Sequence, residues 1–131
     1  MVIDLSMPVL LVDDQMTMIR IIGNLLKQLG FVNVDDANSG AAALSKMRAK
    51  RYGFVISDWH MDNMSGYDLL KEVRSDPTLK QTPFILVTAE TKVDNVIAAR
   101  KAGVNTYLIK PFDAQTLKKK IESVFASSQS K

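Results

Sequence analysis

The 131-residue chain contains no cysteine. Disulfides, thiolate metal sites and cysteine nucleophiles are therefore excluded, and a cytoplasmic setting is the default expectation. No apolar stretch approaches the ~18–20 residues of a membrane span. The opening residues Met1-Val2-Ile3-Asp4 lack a basic region followed by an apolar core, so no secretory signal is expected. There is no internal repeat, no low-complexity region and no linker. A chain of this length suits one domain, expected over 1–131 with its core near 8–126, and leaves no room for an output domain.

What is present is ordinary in amount and uneven in placement. Apolar residues make up 47% of the chain, too many for a disordered protein. The formal net charge is +3, with Lys118, Lys119 and Lys120 gathered near the C-terminus. A basic triplet can attract nucleic acid, but a solvated helix face is the favoured reading. The acids gather elsewhere. Asp13-Asp14 directly follows the apolar run Val9-Leu10-Leu11-Val12, and Asp58 directly follows Phe54-Val55-Ile56-Ser57.

Strand-like and helix-like segments alternate along the chain. Val9 to Val12 reads as a buried strand, followed by Ile19, Ile22, Leu26 and Leu29 at helical spacing, with Gly30 as a stop. A second strand is expected from Val32 to Asp36, then a helix capped by Ser39 through Ala42, Leu44 and Met47. Phe54 to Ile56 is the third strand, and Leu69, Leu70 and Val73 mark a third helix. Pro83 precedes a fourth strand, Phe84 to Val87. Thr91 and Asp94 have the spacing of a capping box opening a fourth helix that Gly103 ends. Thr106 to Ile109 is the fifth strand, and Asp113 can cap a last helix with the apolar face Leu117, Ile121, Val124 and Phe125. The polar tail from Ser127 to Lys131 is expected to fray. Five strand–helix pairs imply parallel strands with right-handed crossovers and helices on both faces. A closed eight-stranded barrel needs about twice this length, so an α/β fold with an open, doubly wound, five-stranded parallel sheet is expected.

In such a sheet ligands bind at the carboxyl edge. The first strand delivers Asp13 and Asp14 there, the third Asp58, the fourth Thr88 and the fifth Lys110. Three carboxylates that close raise one another's pKa unless a cation sits among them, and oxygen-only ligands favour Mg2+. Each residue alone has a plainer explanation as a turn, cap or exposed surface residue. Together they suit a phosphoryl group. A carboxylate can act as nucleophile, Mg2+ can offset charge, a lysine can contact one oxygen, and a threonine hydroxyl can donate to another.

With these residues the chain resembles the receiver domains of two-component response regulators, most closely the stand-alone chemotaxis members. The resemblance runs from about Pro8 to Phe125. It is carried by Asn24-Leu25-Leu26-Lys27 with Leu29-Gly30-Phe31, by Tyr52 to Trp59, by Val87-Thr88-Ala89-Glu90 and by Lys110-Pro111-Phe112. The family's strand order, 2-1-3-4-5, and its flavodoxin-like arrangement are taken from that resemblance. The resemblance implies that Asp58 accepts a phosphoryl from a histidine kinase. It implies that Asp14, Asp58 and the main-chain carbonyl of His60 bind Mg2+ directly, with Asp13 acting through water. Lys110 and Thr88 would contact phosphoryl oxygens, and the Lys110–Pro111 bond would be cis. Tyr107 would follow Thr88 and carry the signal past Ala89 and Thr91 to an output face containing Ile109, Phe112 and Lys120. Implied partners are a chemotaxis histidine kinase, the flagellar motor switch protein and a phosphatase. No nucleic acid, no membrane insertion and a monomer are expected. Self-dephosphorylation is implied, with no turnover of a separate substrate, so the protein is not expected to be an enzyme.

The chain departs from the family pattern at several places. His60 replaces an asparagine, Asp62 stands where proline is usual, and Gln15 follows the acidic pair where the chemotaxis members have phenylalanine. The favoured readings are an exposed loop residue for His60, a solvated loop acid for Asp62, and partly exposed packing for Trp59. Met16 and Met18 could form an adaptable surface, but core filling is the plainer reading. Lys120 is at a basic position of the family's output face, while Lys118 and Lys119 replace acids. Three rivals have distinct signatures. A phosphate sink or phosphorelay intermediate shares the site but lacks motor output. A Mg2+-dependent phosphohydrolase would need an acid where His60 stands and a substrate cap for which no residues remain. A nucleic-acid module would need a groove-binding motif, and none is present.

Overall fold

A computed structural model describes residues 3–89 and 93–129. Strands β1 (Val9–Val12), β2 (Val34–Ala37), β3 (Phe54–Asp58), β4 (Phe84–Thr88) and β5 (Thr106–Ile109) alternate with five helices. The helices are α1 (Met16–Gln28), α2 (Gly40–Ala49), α3 (Gly66–Ser75), α4 (Val93–Lys101) and α5 (Ala114–Gln129). The sheet is parallel throughout, in the order β2-β1-β3-β4-β5. This is the expected open doubly wound sheet. Among the described residues, no helix is long and apolar enough to cross a membrane.

The alternation of side chains along each strand divides the core in two. Leu10, Val12, Val55 and Leu86 point to one face and pack with Ala43, Leu44, Leu69, Leu70, Val73 and Ala99 of α2, α3 and α4. Val9, Leu11, Ile56, Ile85 and Val87 point to the other and meet Ile22, Leu26, Leu117, Ile121 and Val124 of α1 and α5. Strands covered on both faces read as continuous apolar runs, which is why β1, β3 and β4 stand out in the sequence.

Helix ends follow local chemistry. Gly30 (φ 101°) and Gly103 (φ 96°) take the left-handed conformation after α1 and α4. Phe31 N–H returns to Leu26 O and Val104 N–H to Ala99 O, both at 3.0 Å, closing Schellman turns. Ser39 caps α2 by accepting from Ala42 N–H, and Asp113 Oδ1 accepts from Thr116 N–H at 2.8 Å to open α5.

Several boundaries differ from the sequence expectation: β3 runs to Asp58, β4 to Thr88 and α5 to Gln129. β2 starts at Val34, because the Gly30 turn buries Phe31 edge-to-face against Phe54 and leaves Val32 74% exposed. Helix α3 opens with a full capping box, Ser65 with Asp68, ahead of the expected helix markers Leu69, Leu70 and Val73. The Thr91 half of the other expected capping box lies outside the described residues, as do Glu90, Ser130 and Lys131.

Candidate functional site

β1 and β3 are neighbours in register, Val12 beside Ser57, so both acidic segments leave the sheet together. Asp13, Asp14 and Asp58 each offer an oxygen, and these oxygens lie within 4.8 Å of one another. Asp13 and Asp58 are buried and Asp14 is exposed. Asp13 Oδ1 accepts from Gln15 N–H at 2.9 Å, while Oδ2 is buried and has no hydrogen-bond partner among the described residues. Burial pushes the Asp13 carboxyl above its ordinary pKa. The Gln15 N–H opposes this, and the Asp58 charge adds to it.

Lys110 reaches across from the end of β5. Its Nζ lies 3.1 Å from Asp58 Oδ1, pairing a largely buried carboxylate with a partly buried ammonium. Lys110 N–H also bonds Thr88 O at 2.9 Å, which ties the two strand ends together. Thr88 is buried at the end of β4, and the Lys110–Pro111 peptide is cis. The chain just after Asp58 is fixed through the main chain of Trp59: Trp59 N–H donates to Val87 O and Gly66 N–H donates to Trp59 O, each at 2.8 Å.

An open cleft of about 590 Å3 borders this cluster, lined by Asp14, Gln15, Trp59, His60, Met61, Asp62 and Ser65. His60 and Asp62 are exposed. Trp59 is half-buried and stacks on Tyr67, with ring centroids 5.5 Å apart and planes at 5°. Met18 packs on the α1–α5 side of the core, whereas Met16 is 52% exposed and fills nothing. On the far side, Tyr107 is half-buried with Lys120 Nζ 5.4 Å from its ring centroid. Phe112 is also half-buried, and Ala89 and Ile109 are exposed.

Five residues from four strand ends thus meet at one edge, as the sequence suggested. Two contributors escaped the sequence reading. One is Gly66, whose position against Asp58 leaves no space for a side chain: a Cβ there would lie 2.1 Å from the Asp58 carbonyl oxygen. The other is the main-chain N–H of Asp62, which donates to Asp14 Oδ2 at 3.1 Å. The Ser65-x-x-Asp68 signature could have located the start of α3, and with it Gly66.

The parallel sheet carries an acidic trio and its lysine together at its carboxyl edge. The response regulator receiver domain family matches residues 9–122, and the chain belongs to that family. It is 50% identical to the chemotaxis protein CheY of Pseudomonas aeruginosa over 119 residues, covering 91% of this chain and 96% of the relative. The chemotaxis protein CheY4 of Vibrio cholerae superposes with a TM-score of 0.85 at 32% identity, covering 91% of this chain and 98% of that one. The receiver domain of a sensor histidine kinase of Pseudomonas aeruginosa, solved with magnesium coordinated in its active-site cleft, gives a TM-score of 0.80 at 26% identity, over 91% and 98%. The chain is therefore a two-component signalling protein homologous to chemotaxis regulators.

Proposed function

We propose that this protein is a phosphorylation-activated chemotaxis response regulator, with Asp58 as phosphoacceptor and the flagellar motor switch as target. The observation that carries this reading is the trio of carboxylate oxygens within 4.8 Å, with Lys110 Nζ 3.1 Å from Asp58. The donor set fits Mg2+: it is all oxygen, and among the described residues buried Asp13 Oδ2 has no hydrogen-bond partner. Asp14, Asp58 and the His60 carbonyl would hold the ion directly, and Asp13 through water. Mg2+ held there offsets negative charge on the transferring oxygens.

The chain's own groups do the rest. One Asp58 oxygen attacks the phosphorus of a phosphohistidine on the kinase. An oxygen–phosphorus bond forms, the phosphorus–nitrogen bond breaks, and its electron pair goes to the imidazole ring. Lys110 moves from the Asp58 carboxylate to a phosphoryl oxygen, and the Thr88 hydroxyl donates to another. Close to these groups and to water, the acyl phosphate hydrolyses on the protein itself. No separate substrate is turned over.

Output needs a surface that differs between two states. Movement of Thr88 toward the phosphoryl frees space that Tyr107 enters, which changes the face holding Ile109, Phe112 and Lys120. Lys120 over the Tyr107 ring couples that ring to α5. The family's chemotaxis members at up to 50% identity support a kinase and motor-switch pairing. The test is titration calorimetry of phosphorylated and unphosphorylated protein against the purified switch protein. Tighter binding after phosphorylation supports motor output. Equal affinities with normal labelling overturn it and leave a phosphate sink.

A further inference from the structure

The loop after β3 reaches back to the loop after β1 through a hydrogen bond, Asp62 N–H to Asp14 Oδ2 at 3.1 Å, across 48 residues of sequence. Asp14 is the exposed member of the acidic trio, and Asp62 is exposed beside it on the wall of the same cleft. The peptide that donates belongs to a tight turn. Met64 N–H donates to Asp62 O at 2.8 Å, and Asn63 between them sits at φ 68°. A hydrogen bond between residues two apart defines a three-residue γ-turn.

We propose that the main-chain N–H of Asp62 is a positioning group that holds Asp14 ready for a divalent cation, a device available only because residue 62 is not proline. This rests on the cleft being the cation site described above. Proline has no N–H, so a chain with proline at this position cannot make this bond. An exposed carboxylate without a partner samples several rotamers and must be ordered when it binds a cation. Asp14 has one oxygen already engaged by that N–H. Hydrogen bonds to a ligating carboxylate tune metal affinity, and their loss commonly weakens binding about 10–100-fold. This bond is at the surface, so about 5–10-fold is expected here.

The Asp62 side chain adds a separate effect, a negative charge on the rim that salt screens. Two substitutions divide the contributions. Asp62→Ala removes the charge and keeps the N–H. Asp62→Pro removes both. Mg2+ titration of the unphosphorylated protein, read by Trp59 fluorescence and by amide NMR shifts at fixed salt, should show Asp62→Ala within about twofold of the parent. Asp62→Pro should be about 5–10-fold weaker than Asp62→Ala. The Asp62 amide itself gives an independent readout that needs no variant of residue 62. Its proton should exchange faster and shift upfield in Asp14→Ala if it donates to that carboxylate. Equal Mg2+ affinities of the Pro and Ala variants, or an Asp62 amide indifferent to Asp14→Ala, overturn the proposal alone. A parent protein with no saturable Mg2+ response overturns the cation-site reading and this proposal with it.

Discussion

Gly66 is where the fold and the site constrain each other most tightly. Adding a methyl there tests the packing of α3 on the strand that carries Asp58. A Cβ on Gly66 would lie 2.1 Å from the Asp58 carbonyl oxygen and 2.9 Å from Leu86 Cδ2. Carbon–oxygen contacts settle near about 3.3 Å, so something must move by roughly 1.2 Å. The obstructing atom is backbone of a buried strand paired on both sides, which cannot rotate away. Overpacking costs about 1–3 kcal/mol, and this geometry belongs at the top of that range, about 3 kcal/mol. That is about a fifth or more of the stability of a typical domain and corresponds to a melting shift of about 10 °C. The control is the same substitution at Gly23, inside α1, where a Cβ would meet only Leu11 Cδ1 at 3.7 Å. There alanine should stabilise by about 0.5–1 kcal/mol through helix propensity. Urea and thermal unfolding of Gly66→Ala and Gly23→Ala should therefore move in opposite directions. Gly66→Ala should also lose phosphoryl labelling, because it displaces the Asp58–Trp59 peptide. A Gly66→Ala protein that melts within about 1 °C of the parent would refute the claim that α3 rests on the Asp58 backbone.

Three further outcomes follow from other parts of the molecule. Arg74 donates to Gly103 O, Lys80 O, Thr82 O and Asn105 Oδ1, at 2.7–3.1 Å, so Arg74→Lys should cost about 2 kcal/mol in urea unfolding through loss of the planar fork. Burial, then the hydrogen bond from its hydroxyl to Asp35 Oδ2, pushes the Tyr52 pKa up from 10.0 to about 12. Its raised folded pKa gives a contribution fully present below pH 10.0 and lost as pH rises through about 12. A spectrophotometric titration should show one tyrosine ionising late, and Tyr52→Phe should remove both that step and the stability loss in this window. Tyr107→Ala should leave Asp58 labelling intact and blunt any phosphorylation-dependent gain in partner affinity, measured by titration calorimetry.

Much of this was legible because the site follows the strands. The runs Val9 to Val12, Phe54 to Ser57, Phe84 to Val87 and Thr106 to Ile109 mark where a chain leaves a sheet, and polar residues at those exits must share an edge. β2 was less legible. It is an edge strand with half-exposed residues, Val34-Asp35-Asp36-Ala37, and the Gly30 turn that reorients Val32 depends on Phe31 finding Phe54 across the core. Gly66 could not be read from composition, because the demand for glycine comes from a carbonyl eight residues earlier. The Asp62–Asp14 bond was hidden differently. The sequence shows the Asp62 side chain, whereas the contact uses its main chain.

The central claim is that Asp58 carries the phosphoryl group and does so with Mg2+. Incubating the protein with a small acyl phosphate, followed by intact-mass measurement with and without a chelator, tests it most directly. One phosphoryl group should appear in the presence of Mg2+, be released by hydroxylamine as an acyl phosphate must be, and be absent both in excess chelator and in Asp58→Asn. Full labelling of Asp58→Asn, or equal labelling of the parent protein in excess chelator, would contradict the account.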